Sequence, residues 1–343
     1  MSSLIPNINK AFLQELFSIN DDQIRRQDNR TLNEYRPITI NHVTSSYNSP
    51  IKVNIGNTEI ISYINAKLVQ PRSDRPSEGM LSFQVDTRNL KPAADFSSSN
   101  EALTEFRISI NNILEKCLKE SHALDTNILC VIPGKIVWKI TLEINIIRND
   151  GNMFDAVIIA ALTSWLTYKI PFFRIKDDDL YYDSFINLTT IHMPICVTFG
   201  IFLKKKNNEK VLFVLDNTLE EESVMSGSVS ICGNIFGEIS YMQMNTEAQL
   251  SLDNIEELIG YMEDHVTFIH KKIKKFVEDE NKRIDNIIKS MKISEKKVEK
   301  DKIEKMDDED DKIDNSDYKK KFIEKMDIEE KSEKSLNILE YKK

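Results

Sequence analysis

Between Ile136 and Ile147 the even positions are all apolar (Ile136, Trp138, Ile140, Leu142, Ile144, Ile146), while the odd ones include Lys139, Thr141, Glu143 and Asn145. Alternation with period two belongs to a long strand with one face in the core. Asn149-Asp150-Gly151-Asn152 then turns the chain, and Ala156 to Leu162 runs apolar around most of a helical circumference. Such a helix is buried on nearly all sides rather than laid on a surface. The turn between them is also where a phosphate can sit, because helix N-termini present free N–H groups.

The flanking segments have periods of their own. Ile8, Phe12, Leu13, Leu16 and Phe17 share one helical face, broken at Asn20-Asp21-Asp22, and Arg25 to Arg30 is polar. Ile51, Val53, Ile55, then Ile60, Ile64, Ala66, Leu68, then Leu81, Phe83, Val85 alternate as antiparallel strands, with a hairpin at Gly56-Asn57 and a longer loop from Pro71 to Gly79. Ser98-Ser99-Asn100-Glu101 has capping-box spacing, and Leu103, Phe106, Ile110, Ile113, Leu114, Cys117 and Leu118 follow on one helical face opposite Arg107, Lys116 and Lys119. Pro171 to Leu188 reads as an acidic loop region. His192-Met193-Pro194 opens a second set of strands at Ile195–Leu203, Val211–Leu215, Ser228–Ile235 and Glu238–Met244, followed by a helical stripe from Ile255 to Phe276. The pattern is α+β in two similar strand-helix halves. It divides into an N-terminal helix at 1–24, a first half at 25–190, a second at 191–276 and a charged tail at 277–343.

Charge separates the tail from the body. Residues 271–343 hold 22 Lys+Arg and 21 Asp+Glu, which leaves 24 basic and 34 acidic residues in 1–270, a net of −10. An acidic body argues against a free-standing polyanion binder, so nucleic-acid contact is expected to be local or shared with partners. The mixed-sign tail reads as a solvated or transiently helical extension. Cys117, Cys130, Cys196 and Cys232 lie on apolar stretches without CxxC pairing, which favours reduced core thiols and a reducing compartment. Neither a membrane span nor a secretion signal is expected.

Five segments, ALDTNILCVIPG (123–134), GKIVWKI (134–140), NDGN-x-x-DA (149–156), IHMPICVTF (191–199) and LDNTLEEESVM (215–225), together resemble the RNase PH fold subunits of the RNA exosome. The likeness runs from about Arg25 to about Phe276 and implies the RNase PH-like (ribosomal protein S5 domain 2-like) fold. It further implies a ring of six RNase PH-like subunits with RNA-binding cap proteins. RNA would be threaded to an associated exoribonuclease for 3′–5′ processing and decay, ribosomal RNA maturation included, in nucleus, nucleolus and cytoplasm.

Phosphorolytic members of that family hold two anionic groups with cationic side chains and helix N–H donors. Their turn after the central strand carries an Arg followed by a small hydroxyl residue, places that fall here on Phe154 and Asp155. A phosphate beside one more carboxylate at about 4 Å loses on the order of 1 to 4 kcal/mol. Asp216 stands where the family also has Asp, and reads as a turn or strand-end cap. The later Asp-rich strand of active members reads Met225 to Ser230 here, and Glu220 to Glu222 are expected to be solvated. The expectation is therefore a non-catalytic subunit, with no catalytic or metal residue and no cofactor; the alternative is an active phosphate-dependent 3′–5′ exoribonuclease. Related subunits place two basic residues one helical turn apart toward the RNA path. The first place falls on Asn112, the second on Lys116, and Lys119 matches a further basic position. Lys116 and Lys119 are thus the RNA-binding candidates, against the plain alternative of a solvated helix face. The segment Arg72-Ser73-Asp74-Arg75 is a weaker one. His192 reads as a packed linker residue, His265 and His270 are poorly spaced for joint metal ligation, and Trp138 belongs to the core.

Overall fold

A computed structural model describes residues 7–17, 26–44, 48–90, 98–176, 179–203, 211–246 and 248–306. The chain divides into a compact unit that ends at Ile284 and a second unit from Asp285. Within the first, α1 (Asn7–Leu16) precedes a sheet made of β1 (Ile38–His42), β2 (Ile51–Ile55), β3 (Thr58–Val69), β4 (Met80–Asp86), β5 (Cys130–Ile132) and β6 (Ile136–Arg148). Between β4 and β5 lies α2 (Ser98–Leu114), whose last turn passes into a π-helical turn, Glu115–Glu120. After α3 (Met153–Thr167) come the hairpin β7 (Lys169–Lys176) and β8 (Asp179–Asn187). A second sheet follows, built from β9 (Ile195–Leu203), β10 (Val211–Leu215), β11 (Gly227–Gly233) and β12 (Ile239–Thr246), with the single turn of α4 (Leu219–Glu222) between β10 and β11. α5 spans Leu252–Met306. The expected tail beyond Met306 lies outside the described residues.

The even-numbered side chains of β6 from Trp138 to Ile146 are buried, and α3 is buried along its length apart from partly covered Phe154 and Leu166. The first sheet runs β1-β2-β3-β6-β4, with β5 also on β6, and the second β10-β9-β11-β12. α3 packs against β2 and β3 of the first sheet and β9 of the second, so one helix serves both halves. Small residues permit the close approach: the Ser62 hydroxyl of β3 donates to the Ala160 carbonyl at 2.9 Å and pairs with the Ser164 hydroxyl. Thr163 and Thr167 satisfy their hydroxyls on carbonyls one turn back, and the Trp165 indole N–H donates to the Thr189 carbonyl at 2.9 Å.

Two sequence expectations are corrected. β4 pairs with β6 in parallel, not antiparallel, because α2 makes the crossover back to the sheet. Pro171 to Leu188 is largely the β7–β8 hairpin rather than a loop: its Phe, Tyr and Ile content suits a pleated ribbon, and the acidic run 177–179 obscures the pattern. The Ile255 stripe is found, and it continues to Ile284, which is buried. Cys117, Cys196 and Cys232 are buried free thiols and Cys130 is partly buried. No described helix is long and apolar enough to cross a membrane.

α1 forms a satellite core, with Leu13 and Phe17 packed on Phe202 and Val214 of the second sheet. Leu13→Ala should cost about 2–5 kcal/mol locally. Hydrogen exchange should then accelerate across residues 7–17 while α3 keeps its protection; equal loss in both would show that α1 is not a separable unit.

Candidate functional site

The turn that follows β10 gathers the polar groups of three distant segments. Asp216 is fully buried and takes a left-handed backbone, φ +50°, a conformation that Asp tolerates better than most residues. The Arg36 guanidinium grips its carboxylate from Nε (2.9 Å) and an NH2 group (2.8 Å), and the Arg36 backbone N–H adds a third bond at 2.7 Å. Arg30 donates at 3.0 Å and the Asn152 amide at 2.7 Å. Burial works to raise the Asp216 pKa, but the bonds and charge of Arg36, aided by Asn152, outweigh it and hold the group below the usual carboxylate value. The remaining Arg36 donors reach the Asp150 carbonyl (2.7 Å) and the Gly151 carbonyl (3.2 Å).

Arg26 makes the neighbouring lock. Its guanidinium is bidentate to Glu221 and also donates to the Leu215 carbonyl at 2.6 Å and the Asp216 carbonyl at 2.8 Å. Glu221 closes a capping box with Thr218 on α4. Glu222 accepts the Asn152 backbone N–H at 2.8 Å, just before the first turn of α3. Burial pushes the Glu222 pKa up to about 7, although the Asn152 N–H and the Arg36 charge favour its ionised form. Glu221 is therefore not in the solvated turn that the sequence suggests for Glu220 to Glu222: it is 3% exposed because an arginine 195 residues earlier covers it, while Glu220 and Glu222 are partly exposed.

Asp155 also differs from expectation. Its side chain turns away from solvent into the space between α3 and β9, fully buried. The Tyr35 hydroxyl donates to it at 2.6 Å, the Thr198 hydroxyl at 2.8 Å and the Thr198 backbone N–H at 3.2 Å. Burial raises its pKa to about 6 against those bonds. The carboxylate at the start of α3 is Glu222 instead, and Phe154 packs against the main core. Gly151, at φ +86°, has no room for a side chain, since a Cβ would sit 2.4 Å from the Asn217 carbonyl oxygen. Gly200 is equally confined, with Asn217 Nδ2 1.8 Å from where a Cβ would lie.

Chemically the arrangement is a closed set of buried ion pairs: Arg26, Arg30, Arg36 and the Asn152 N–H that leads into α3 are engaged by the chain's own carboxylates and carbonyls. The described residues hold no group of three or more His, Cys, Asp or Glu able to bind a metal ion.

Lys116 and Lys119 lie elsewhere, both exposed on the π-helical turn. Lys116 Nζ stands 5.2 Å from the ring centre of Tyr241 on β12, and Lys119 Nζ is 3.7 Å from Glu115. Asn112, one turn earlier, is exposed as well. Arg72 and Arg75 are exposed, with Arg75 bound to Glu78 at 3.0 Å. Arg26, Arg30 and Arg36 escape sequence reasoning, because only their long-range partners distinguish them from an ordinary polar segment.

Asp216→Asn keeps the left-handed turn but leaves Arg30 and Arg36 without their buried carboxylate, and should destabilise the fold by about 3–5 kcal/mol in urea melts. The pH dependence has two opposed parts. Glu222 (ordinary value 4.5) and Asp155 (3.8) have raised folded pKa values of about 7 and 6. Their contribution is full below their unfolded values and is lost as pH rises through 6 to 7. Asp216 is depressed, so its contribution exists above its ordinary 3.8 and vanishes as pH falls. Glu222→Gln should flatten the decline between about pH 5 and 7 by on the order of 1–3 kcal/mol; melts in which the variant declines as steeply as the parent would contradict this.

Comparison with known proteins adds the following. The description "3′ exoribonuclease family, domain 1" matches residues 34–171, and "3′ exoribonuclease family, domain 2" matches residues 192–263. Exosome complex component RRP45A of Arabidopsis thaliana is 33% identical over 266 residues, 75% of this chain and 83% of that protein. Exosome complex component RRP45B of the same plant is 34% identical over 226 residues, 64% of this chain and 49% of its own length. Exosome complex component RRP45 of Homo sapiens is 30% identical over 240 residues, 68% of this chain and 52% of its own length. The chain thus spans about half the length of the last two. A chain of a structure titled "Archaeal exosome core" superposes with TM-score 0.63 at 21% identity, covering 78% of this chain and 97% of that one. One from an Archaeoglobus fulgidus exosome with RNA bound to the active site gives 0.62 at 21%, covering 78% and 98%. At that identity the likeness concerns the fold, which is the α+β RNase PH-like fold expected from the motifs.

Proposed function

The chain belongs to the RNase PH family of 3′ exoribonuclease domains, among relatives named exosome complex component RRP45, and from that premise we propose that it is a non-catalytic subunit of the exosome ring. In this reading it scaffolds the complex and helps line the RNA channel for 3′–5′ processing and decay, ribosomal RNA maturation included. Its partners are the other RNase PH-like ring subunits, RNA-binding cap proteins, RNA and an associated exoribonuclease. Nucleus, nucleolus and cytoplasm are its proposed locations.

One observation carries the non-catalytic part. Where active members carry an Arg for an incoming phosphate, this chain has Phe154, packed against the main core, and Glu222 takes the N–H just before α3. A helix N-terminus carries about half a positive charge, too little to hold a phosphate beside a resident carboxylate. RNA contact falls instead to exposed cations. Lys116 and Lys119 project from one turn, within reach of phosphates as point charges, and the Tyr241 ring beside Lys116 supplies a π-face next to a cation.

Purified full-length protein given RNA, inorganic phosphate and magnesium should release no nucleoside diphosphate above a protein-free control. Clear turnover, or sulfate bound at the turn before α3 in a soaked crystal, would overturn the proposal in favour of an active phosphate-dependent exoribonuclease. In the assembled ring, Lys116→Glu with Lys119→Glu should reduce RNA crosslinking to this subunit several-fold; unchanged crosslinking would remove these lysines from the RNA path.

A further inference from the structure

The outer face of the first sheet is mixed and mostly self-satisfied. Lys52 pairs with Glu59 at 2.6 Å, Glu143 accepts from Tyr63 and Asn65, Ser82 bonds Thr141, and Arg88 folds back on Asp86. The exception is at one end. Lys67 of β3 and Lys139 of β6 are direct Cα partners in the antiparallel register, both exposed. Side chains so paired project from the same face with Cβ atoms about 5 Å apart, and like charges there repel. No carboxylate pairs with either among the described residues, and Glu143, the nearest acid along β6 on that face, is already engaged by Tyr63 and Asn65.

This end of the sheet also carries other cations. β3 ends at Val69 and β6 begins at Ile136, so the 70–79 loop with exposed Arg72 and the turn with exposed Lys135 leave from beside the lysine pair. Backbone bonds join the pieces: the Gly134 N–H donates to the Pro76 carbonyl at 2.8 Å, and the Gly79 N–H to the Thr126 carbonyl at 3.0 Å. Thr126 follows His122, whose N–H closes the turn onto the Lys119 carbonyl at 3.1 Å. The loops carrying Arg72 and Lys135 are therefore tied together beside the lysine pair; farther out the charges are mixed, with Arg75 on Glu78 and Lys119 on Glu115, so Lys67 and Lys139 stand out as cations without a carboxylate partner among the described residues.

From this juxtaposition we propose that Lys67 and Lys139 form a phosphodiester-binding subsite for single-stranded RNA. The proposal rests on the reading of the chain as an RNA-contacting ring subunit and extends that contact onto the sheet. A phosphate between two opposed ammonium groups relieves their repulsion and releases its own condensed counterions, so the pair gains more from a polyanion than two isolated lysines would. A folded acidic protein surface would supply fewer, less regularly spaced charges.

The test uses full-length protein, and the reconstituted ring in parallel, with a labelled single-stranded oligoadenylate titrated at several salt concentrations. Losing two phosphate contacts to single-stranded RNA removes about 1.4 from the salt slope. Lys67→Ala with Lys139→Ala should therefore shrink the parent's affinity advantage about sevenfold between 50 and 200 mM salt. Lys67→Glu keeps the fold testable, since it places opposite charges across the strands: it should melt no lower than the parent yet bind RNA more weakly. Equal affinity and slope in both variants would overturn the subsite, as would loss of ring assembly with RNA affinity unchanged, which would assign the face to a neighbouring protein. The Lys116→Glu, Lys119→Glu protein distinguishes the two levels: if it weakens RNA binding and the sheet variants do not, only the subsite fails, and if none of them does, the underlying RNA-contact reading fails too.

Discussion

An ionised carboxylate cannot be left alone in a dry interior, and Asp216 is the point from which the rest of this molecule can be understood. Its partners come from the start of the first half (Arg30, Arg36) and from the residue before the central helix (Asn152), at sequence separations of 186, 180 and 64. None of these segments is satisfied without the others. Buried ion pairs add little net stability over apolar packing, but separating their members is expensive. Asp216 thus penalises every arrangement in which the two sheets close on α3 without the N-terminal segment threaded between.

Occupancy follows from the same requirement. Each arginine that stitches the halves together spends its planar fork of donors internally: Arg36 alone reaches Asp216, the Asp150 carbonyl and the Gly151 carbonyl. Glu222 does the corresponding thing to the turn before α3. The chain keeps the strand, turn and buried helix on which a phosphate site can be built, while its own side chains meet the electrostatic demands of that frame.

Much of the fold was legible because periodicity is local. The alternation of β6, the all-round apolar α3, the hairpin at Gly56-Asn57 and the Ile255 stripe all announce themselves over a dozen residues. What was not legible depends on partners far along the chain. Nothing near Glu221 signals Arg26, so three consecutive glutamates read as a solvated turn. Asp155 looks like a charge aimed at the phosphate position until Tyr35 and Thr198 are seen to draw it inward. The β7–β8 hairpin was hidden by its acidic residues, and the parallel pairing of β4 with β6 is a property of the α2 crossover rather than of either strand. Trp138 needed only its place on β6 to be read as core.

Gly200 shows how hard this arrangement is to leave. Because Asn217 lies against its Cα, the middle of β9 and the turn holding Asp216 must change in concert. Replacing Glu222 would uncover one N–H while the arginines stayed occupied, and removing Asp216 would strand two cations before any ligand arrived. Each single substitution here leaves a buried group without its partner, so this interior can be rearranged only by coordinated changes in β9, the Asp216 turn and the N-terminal arginines.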